Sequence, residues 1–207
     1  MPGYYSVKLA DMNIDVELTV TERTAMHKYT FNQPGEANLL LDLQNGLVFN
    51  SKNIRYRVLE GEVEMLDNKT IAGYNRVRGW VARYFYYMIV FDRPYTVKKE
   101  LPQEEGEKAK RFILEFDLKE GESVQVKVAL STVGIEGAKM ALDKENPGWN
   151  FESIKAETNG KWNDMLSLAE VEGTEEEKMN FYTSMYHLFI QPTNIADIDG
   201  KYRGAND

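Results

Sequence analysis

Residues 123–146, "SVQVKVALSTVGIEGAKMALDKEN", decide the fold. In the first half Val124, Val126, Val128 and Leu130 fall on one face of a strand, two residues apart. From Gly134 the period lengthens, and "GIEGAKMALDKEN" reads as a short helix that Pro147-Gly148 stops. The chain is therefore expected to divide here, into a β-sandwich domain over 1–133 and a helical segment over 134–207.

Upstream, every stretch reads as a strand. Ile14, Val16, Leu18 and Val20 alternate with Asp15, Glu17 and Thr19. "AMHKYTF" follows, closed by a Pro34-Gly35 turn. The consecutive leucines of "EANLLLDL" predict a strand buried on both faces, and "IRYRVLEGEVEML" alternates around Gly61. "WVARYFYYMIVF", the most apolar stretch, is expected to be a central strand. "RFILEFDL" precedes the opening strand, with "KEGE" between them as a hairpin-type turn, and "KKELPQEEGEKAK" reads as a solvated loop. Roughly ten short strands without βαβ alternation predict an antiparallel sandwich. The fold class is thus mainly β, an antiparallel β-sandwich followed by linker α-helices.

Downstream, Phe151, Ile154, Thr158, Trp162, Met165 and Leu166 share a helical stripe, with Gly160 weakening it by about 1 kcal/mol relative to Ala. Thr174 and Glu177 match a capping box. Behind them Phe181, Tyr182, Met185, Tyr186 and Phe189 recur at helical spacing, and Pro192 ends the helix. Helices this few cannot enclose a core, so their stripes must lie on the sandwich or on something outside these residues.

Composition narrows the function classes. The 207 residues are 43 % hydrophobic and 12 % aromatic, enough for a packed core. A net charge of −8 argues against nucleic acid or anionic membrane as partner. Without cysteine there is no disulfide, thiolate site or cysteine nucleophile. No apolar run reaches the roughly 18 residues that span a bilayer, and no basic-then-apolar leader occurs. The two histidines, His27 and His187, have no ligand-like spacing. Asp197, Asp199 and Asp207 around Gly200 read either as oxygen ligands for calcium or as a turn whose carboxylates bond local backbone, the commoner case. Trp80, after Gly79, is the candidate substrate-binding residue, as a platform for a sugar ring; Trp149 is a second such candidate, and core packing is the commoner fate of both.

The tail carries the most specific pattern. Residues 148–204 contain Phe181-Tyr182, Tyr186-His187 and Pro192. They continue into Asp197, Asp199, Gly200, Tyr202, Arg203 and Gly204. Upstream stand "IEGAK", "PGW", Thr21-Glu22-Arg23 and "HKYTF". This set resembles glycoside hydrolase family 92, calcium-dependent inverting exo-α-mannosidases, many from glycan-degrading gut bacteria. The resemblance implies an N-terminal sandwich, a helical linker and an (α/α)6 barrel. It places the general acid, general base and most calcium ligands in that barrel, so no catalytic or metal-binding residue transfers to a position here. The chain is accordingly expected to be a piece of a longer enzyme, lacking a segment before Tyr4 and the barrel after Asp207, and inactive alone. Its implied partners are α-mannoside glycans and its own barrel, with calcium in the parent enzyme and a periplasmic or cell-surface location. A non-catalytic carbohydrate-binding sandwich module is the alternative. An interaction domain using the helix face around Phe181 and Met185 is the third.

Overall fold

The computed structural model describes residues 1–45, 58–78, 82–191 and 193–204. Among them are ten strands: β1 (Tyr4–Leu9), β2 (Ile14–Val20), β3 (Thr24–Phe31), β4 (Ala37–Asp42), β5 (Val58–Met65), β6 (Thr70–Arg78), β7 (Ala82–Phe91), β8 (Thr96–Glu100), β9 (Arg111–Phe116) and β10 (Ser123–Ser131). Three helices follow: α1 (Ile135–Glu145), α2 (Phe151–Leu166) and α3 (Glu175–Phe189). All strand pairings are antiparallel. The larger sheet has seven strands in the order β1-β2-β3-β10-β7-β6-β5, and the smaller has three, β4-β9-β8. The sandwich followed by helices agrees with the alternation in the sequence.

The core lies between the sheets. Val124, Val126, Ile89, Phe91 and Ile71 of the large sheet meet Phe112, Leu114 and Phe116 of the small one. The period-2 pattern places these residues on one face. The central position of β7, between β10 and β6, follows from its apolarity.

Three expectations are corrected. The leucines of β4 are not buried on both faces. This strand is an edge of the small sheet, so Leu39 and Leu41 pack on the core while Leu40 is 60 % exposed. A run of identical apolar residues carries no alternation from which a face could be read. The "KEGE" turn forms, with Glu122 N donating to Lys119 O at 3.0 Å, but it is no hairpin. It passes the chain from the small sheet to the large one, because β10 pairs with β3 and β7 rather than with β9. The charged run after Val97 is not all loop: Lys98, Lys99 and Glu100 extend β8, an exposed edge.

The other face of the large sheet is covered by helices. Ala72, Met88 and Ala129 are cross-strand neighbours, and Ala138, Ala141 and Leu142 of α1 press against them. Small residues on both sides let the helix approach closely. α2 lays Phe151 and Ile154 on Met26, with Tyr4 edge-on to Phe151 at 6.4 Å. Thr158 donates to the Val20 carbonyl. Gly160 does not interrupt α2. α3 begins with the complete Thr174–Glu177 capping box but buries none of its residues. It touches α2 through Trp162 and Tyr186, 4.8 Å between ring centres. Pro192 lies outside the described residues.

An ion pair joins the two parts. Glu145, at the end of α1, accepts from Thr21 Oγ1 at 2.6 Å, Arg23 N at 2.9 Å and Arg23 Nη1 at 2.7 Å. Burial alone would raise the Glu145 pKa, but the hydrogen bonds from Thr21 and Arg23 and the guanidinium charge outweigh it and hold the carboxyl below its ordinary value. Stability from this group is full above the unfolded-state pKa of about 4.3 and is lost as pH falls through the lower folded value. The stability gap between wild type and Glu145→Gln is therefore expected to be widest near neutral pH and to close in acid, measured by urea unfolding across pH. In the same assay Leu114→Ala should cost about 3 kcal/mol and Leu40→Ala under about 0.5 kcal/mol, because only the first opens a core cavity.

Candidate functional site

The segment after α3 folds back onto the large sheet where β6, β7 and β10 meet α1. Several contacts hold it, these among them. Arg23 Nε donates to Ala196 O at 2.9 Å. Asp197, only 5 % exposed, accepts at Oδ2 from Ser131 Oγ at 2.6 Å. Arg203 Nε donates to Thr132 O at 3.2 Å.

Ser131 is fully used. Its hydroxyl donates to Asp197 and accepts from Val133 N at 2.9 Å and Gly134 N at 3.1 Å, which exhausts its one donor and two acceptors. Those two amides lie at the start of α1, so one side chain closes β10, orders the helix entry and ties down the loop. Gly137 makes room for it: a Cβ there would overlap Asp197 Oδ2 and Ser131 Oγ. This is the physical content of the glycine in "IEGAK".

Arg203 reaches further, onto a tyrosine cluster. Tyr84 and Tyr86 of β7 stack at 6.0 Å with planes 19° apart, and Tyr74 of β6 lies 5.7 Å from each. The Arg203 guanidinium sits 4.8 Å from the Tyr84 ring centre and 5.7 Å from that of Tyr86, and Nη2 donates to Tyr86 Oη at 3.3 Å. Arg76 approaches Tyr84 at 5.4 Å, and Tyr84 Oη donates to Glu60 Oε1 at 2.7 Å. That bond, followed by partial burial and the Glu60 charge, raises the Tyr84 pKa. The guanidinium groups thus engage the tyrosine faces by cation–π contact. The cluster was missed in the sequence, although "YFYY" at 84–87 signals it: alternation puts Tyr84 and Tyr86 on one face.

The sequence candidates fall as follows. Trp80, in the connection between β6 and β7, lies outside the described residues, as does Asp207. Trp149 is half-buried beside Met26, Phe151 and Ile154, with Lys127 Nζ 4.2 Å from its ring centre. Asp199 accepts from Lys201 Nζ at 2.8 Å and Lys201 N at 3.1 Å, and Gly200 takes the positive φ of +83° that the turn requires. The Asp197–Gly200 stretch is thus a turn with its carboxylates bonded to nearby groups. Among the described residues no three or more His, Cys, Asp or Glu side chains converge as metal ligands. His27 bonds Tyr29 Oη at 3.0 Å, and burial lowers its pKa; His187 is exposed beside Tyr186.

Comparison with known sequences places this arrangement. The profile of the glycosyl hydrolase family 92 N-terminal domain matches residues 1–131, and that of the family's catalytic domain matches residues 137–207. The chain belongs to glycosyl hydrolase family 92. Its fold superposes on the family GH92 α-mannosidase BT3965 from Bacteroides thetaiotaomicron with a TM-score of 0.86 and 27 % identity, over 98 % of this chain and 28 % of that one. The GH92 family glycosyl hydrolase ccman5 gives 0.81 and 24 %, over 98 % and 30 %. The GH92 inverting mannosidase BT2199 from B. thetaiotaomicron VPI-5482 gives 0.81 and 21 %, over 99 % and 28 %. The chain thus spans less than a third of each solved relative. No curated protein sequence matches it.

The Gly137 contact makes a prediction. Gly137→Ala should expel the Asp197 carboxylate, cost about 1–3 kcal/mol and speed amide exchange over 195–203, with the strands unchanged by hydrogen-exchange mass spectrometry.

Proposed function

We propose that these 207 residues serve as the sandwich and linker of an inverting exo-α-mannosidase, bracing a catalytic barrel whose residues carry the chemistry. Membership of the family supports this reading, as does the likeness to an α-mannosidase at 27 % identity. The observation that carries it is the anchoring of residues 196–203 through Arg23, Ser131 and Thr132, which orients whatever follows them relative to the sheet.

Inversion requires a carboxylic acid that protonates the leaving oxygen and a carboxylate base that activates water, about 6.5–9.5 Å apart. In this reading both belong to the barrel. So do the calcium ligands: Asp197 is bonded to Ser131 and Asp199 to Lys201. Trp80 is assigned to the sugar-facing rim, α-mannoside glycans are the substrates, and the enzyme works in the periplasm or at the cell surface.

The test is an α-mannosidase assay, with and without chelator, on this chain and on a form carrying the barrel. Activity is expected in the longer form alone, to be lost with chelator, and Trp80→Ala should raise KM there by about tenfold, the worth of one lost stacking contact. Turnover by this chain would overturn the assignment and direct mutation to Asp197 and Asp199. Inactivity of both forms would overturn the substrate.

A further inference from the structure

The β6–β7 hairpin outruns the sheet on one side. β10 pairs with β7 only from Tyr86 to Phe91, and it ends at Ser131, opposite Tyr86. β7 and β6 stay paired beyond that point, to Ala82 opposite Arg78. Among the described residues, 82–85 thus have β6 as their one strand neighbour. β5 backs the far side of β6, where Val58 meets Val77. A narrow ribbon has little stability of its own. Its direction depends on what lies against the open edge of β7.

Arg203 lies there. Its Nε donates to the carbonyl of Thr132, the residue just past β10, at 3.2 Å. Its Nη2 donates to Tyr86 Oη at 3.3 Å, and its guanidinium carbon stands 4.8 Å from the Tyr84 ring centre. The side chain therefore starts where β10 stops and covers the first residue pair of β7 that β10 leaves bare. Tyr84 belongs to the projecting part, and it is held from the other strands too: Glu60 of β5 accepts from its hydroxyl at 2.7 Å, and Arg76 of β6 lies 5.4 Å from its ring centre. One ring thus gathers β5, β6, β7 and the segment after α3. The fork and the flat face of a guanidinium are both in use, and lysine offers neither.

We propose that Arg203 is a positioning residue: by clamping Tyr84 and Tyr86 it fixes the projecting end of the β6–β7 hairpin relative to the segment that leads to the barrel. The connection at that end carries Trp80. Arg203 acts on the sugar-facing rim through β7 and touches no substrate itself. A rim on the sandwich and a catalytic pair on the barrel must keep register, since a displacement of about 1 Å can be costly. The kinetic consequence rests on the mannosidase reading; the clamping of the hairpin does not.

The test has two arms. In the 207-residue chain, NMR relaxation should show lower backbone order parameters over 82–85 in Arg203→Lys than in wild type, with those over 88–91 unchanged. In the form carrying the barrel, Arg203→Lys should raise KM for an α-mannoside severalfold with kcat little changed. That rise should vanish in a Trp80→Ala background, because the two residues act on one contact; a merely structural role would leave it in place. Tyr86→Phe, which keeps the ring face and removes one hydroxyl, should show the same pattern at smaller size. Should Arg203→Lys not fold, Tyr84→Leu, which removes the ring under the guanidinium, should show it in full. Unchanged order parameters over 82–85 would overturn the proposal. So would a KM rise that persists undiminished without Trp80, or a fall in kcat at unchanged KM. If the longer form hydrolyses no α-mannoside, the mannosidase reading fails, and the order parameters alone decide whether Arg203 holds the hairpin.

Discussion

A seven-stranded sheet has two faces to bury, and its three-stranded partner covers one. The rest of the structure follows from that imbalance. β10, between β3 and β7, feels it most: Val124 and Val126 face the sandwich core while Lys127, Ala129 and Ser131 are buried beneath the helical layer. In a strand buried on both sides, each polar group left unpaired costs free energy. Lys127 finds the Asn146 carbonyl, Ser131 finds Asp197, and Ala129 gives α1 a close seat against Ala138 and Ala141. The helices are therefore the sheet's second layer rather than an appendage.

The same constraint explains why the segment after α3 is held by polar rather than apolar contacts. α3 has no fully buried residue, and its contact with α2 through Tyr186 and Trp162 leaves the chain that follows it to be fixed by other groups. Arg23 and Ser131 can do so, because each is itself fixed, Arg23 by Glu145 and Ser131 by the two amides that open α1. Directional bonds between fixed groups specify one geometry, which apolar area alone does not. Arg203 adds the Tyr84–Tyr86 pair, so the loop is registered on both β10 and β7. Elements scattered in sequence, Thr21 to Arg23, the glycine of "IEGAK" and the Asp-Ile-Asp-Gly turn, become one junction in space.

Much of this was legible beforehand. The strands of the core announced themselves by alternation, the capping box at Thr174 by its spacing, and α1 by the change of period after β10. The Tyr84–Tyr86 face was legible in principle, since residues two apart on a strand share a side, but nothing local said that an arginine 117 residues after Tyr86 would cover it. The leucines of β4 misled because a uniform run has no phase. The "KEGE" turn misled because a turn fixes a local reversal and leaves the pairing partner open. Asn146 gave no signal at all: an asparagine before Pro-Gly reads as a helix stop, and only the folded chain shows that its carbonyl takes the buried Lys127 ammonium.

By itself, then, the amino-acid order determined what short-range chemistry encodes: which stretches are strands or helices, where one gives way to the other, where a cap forms, and the motifs that mark the family. Tertiary structure alone decided which sheet each strand joined, which face of β10 met a helix, why residue 137 must lack a side chain, and where buried carboxylate, guanidinium and amide groups came to rest. The division has a physical cause. Periodicity and capping act over a few residues, whereas burial, desolvation and hydrogen-bond satisfaction depend on neighbours brought together from across the chain.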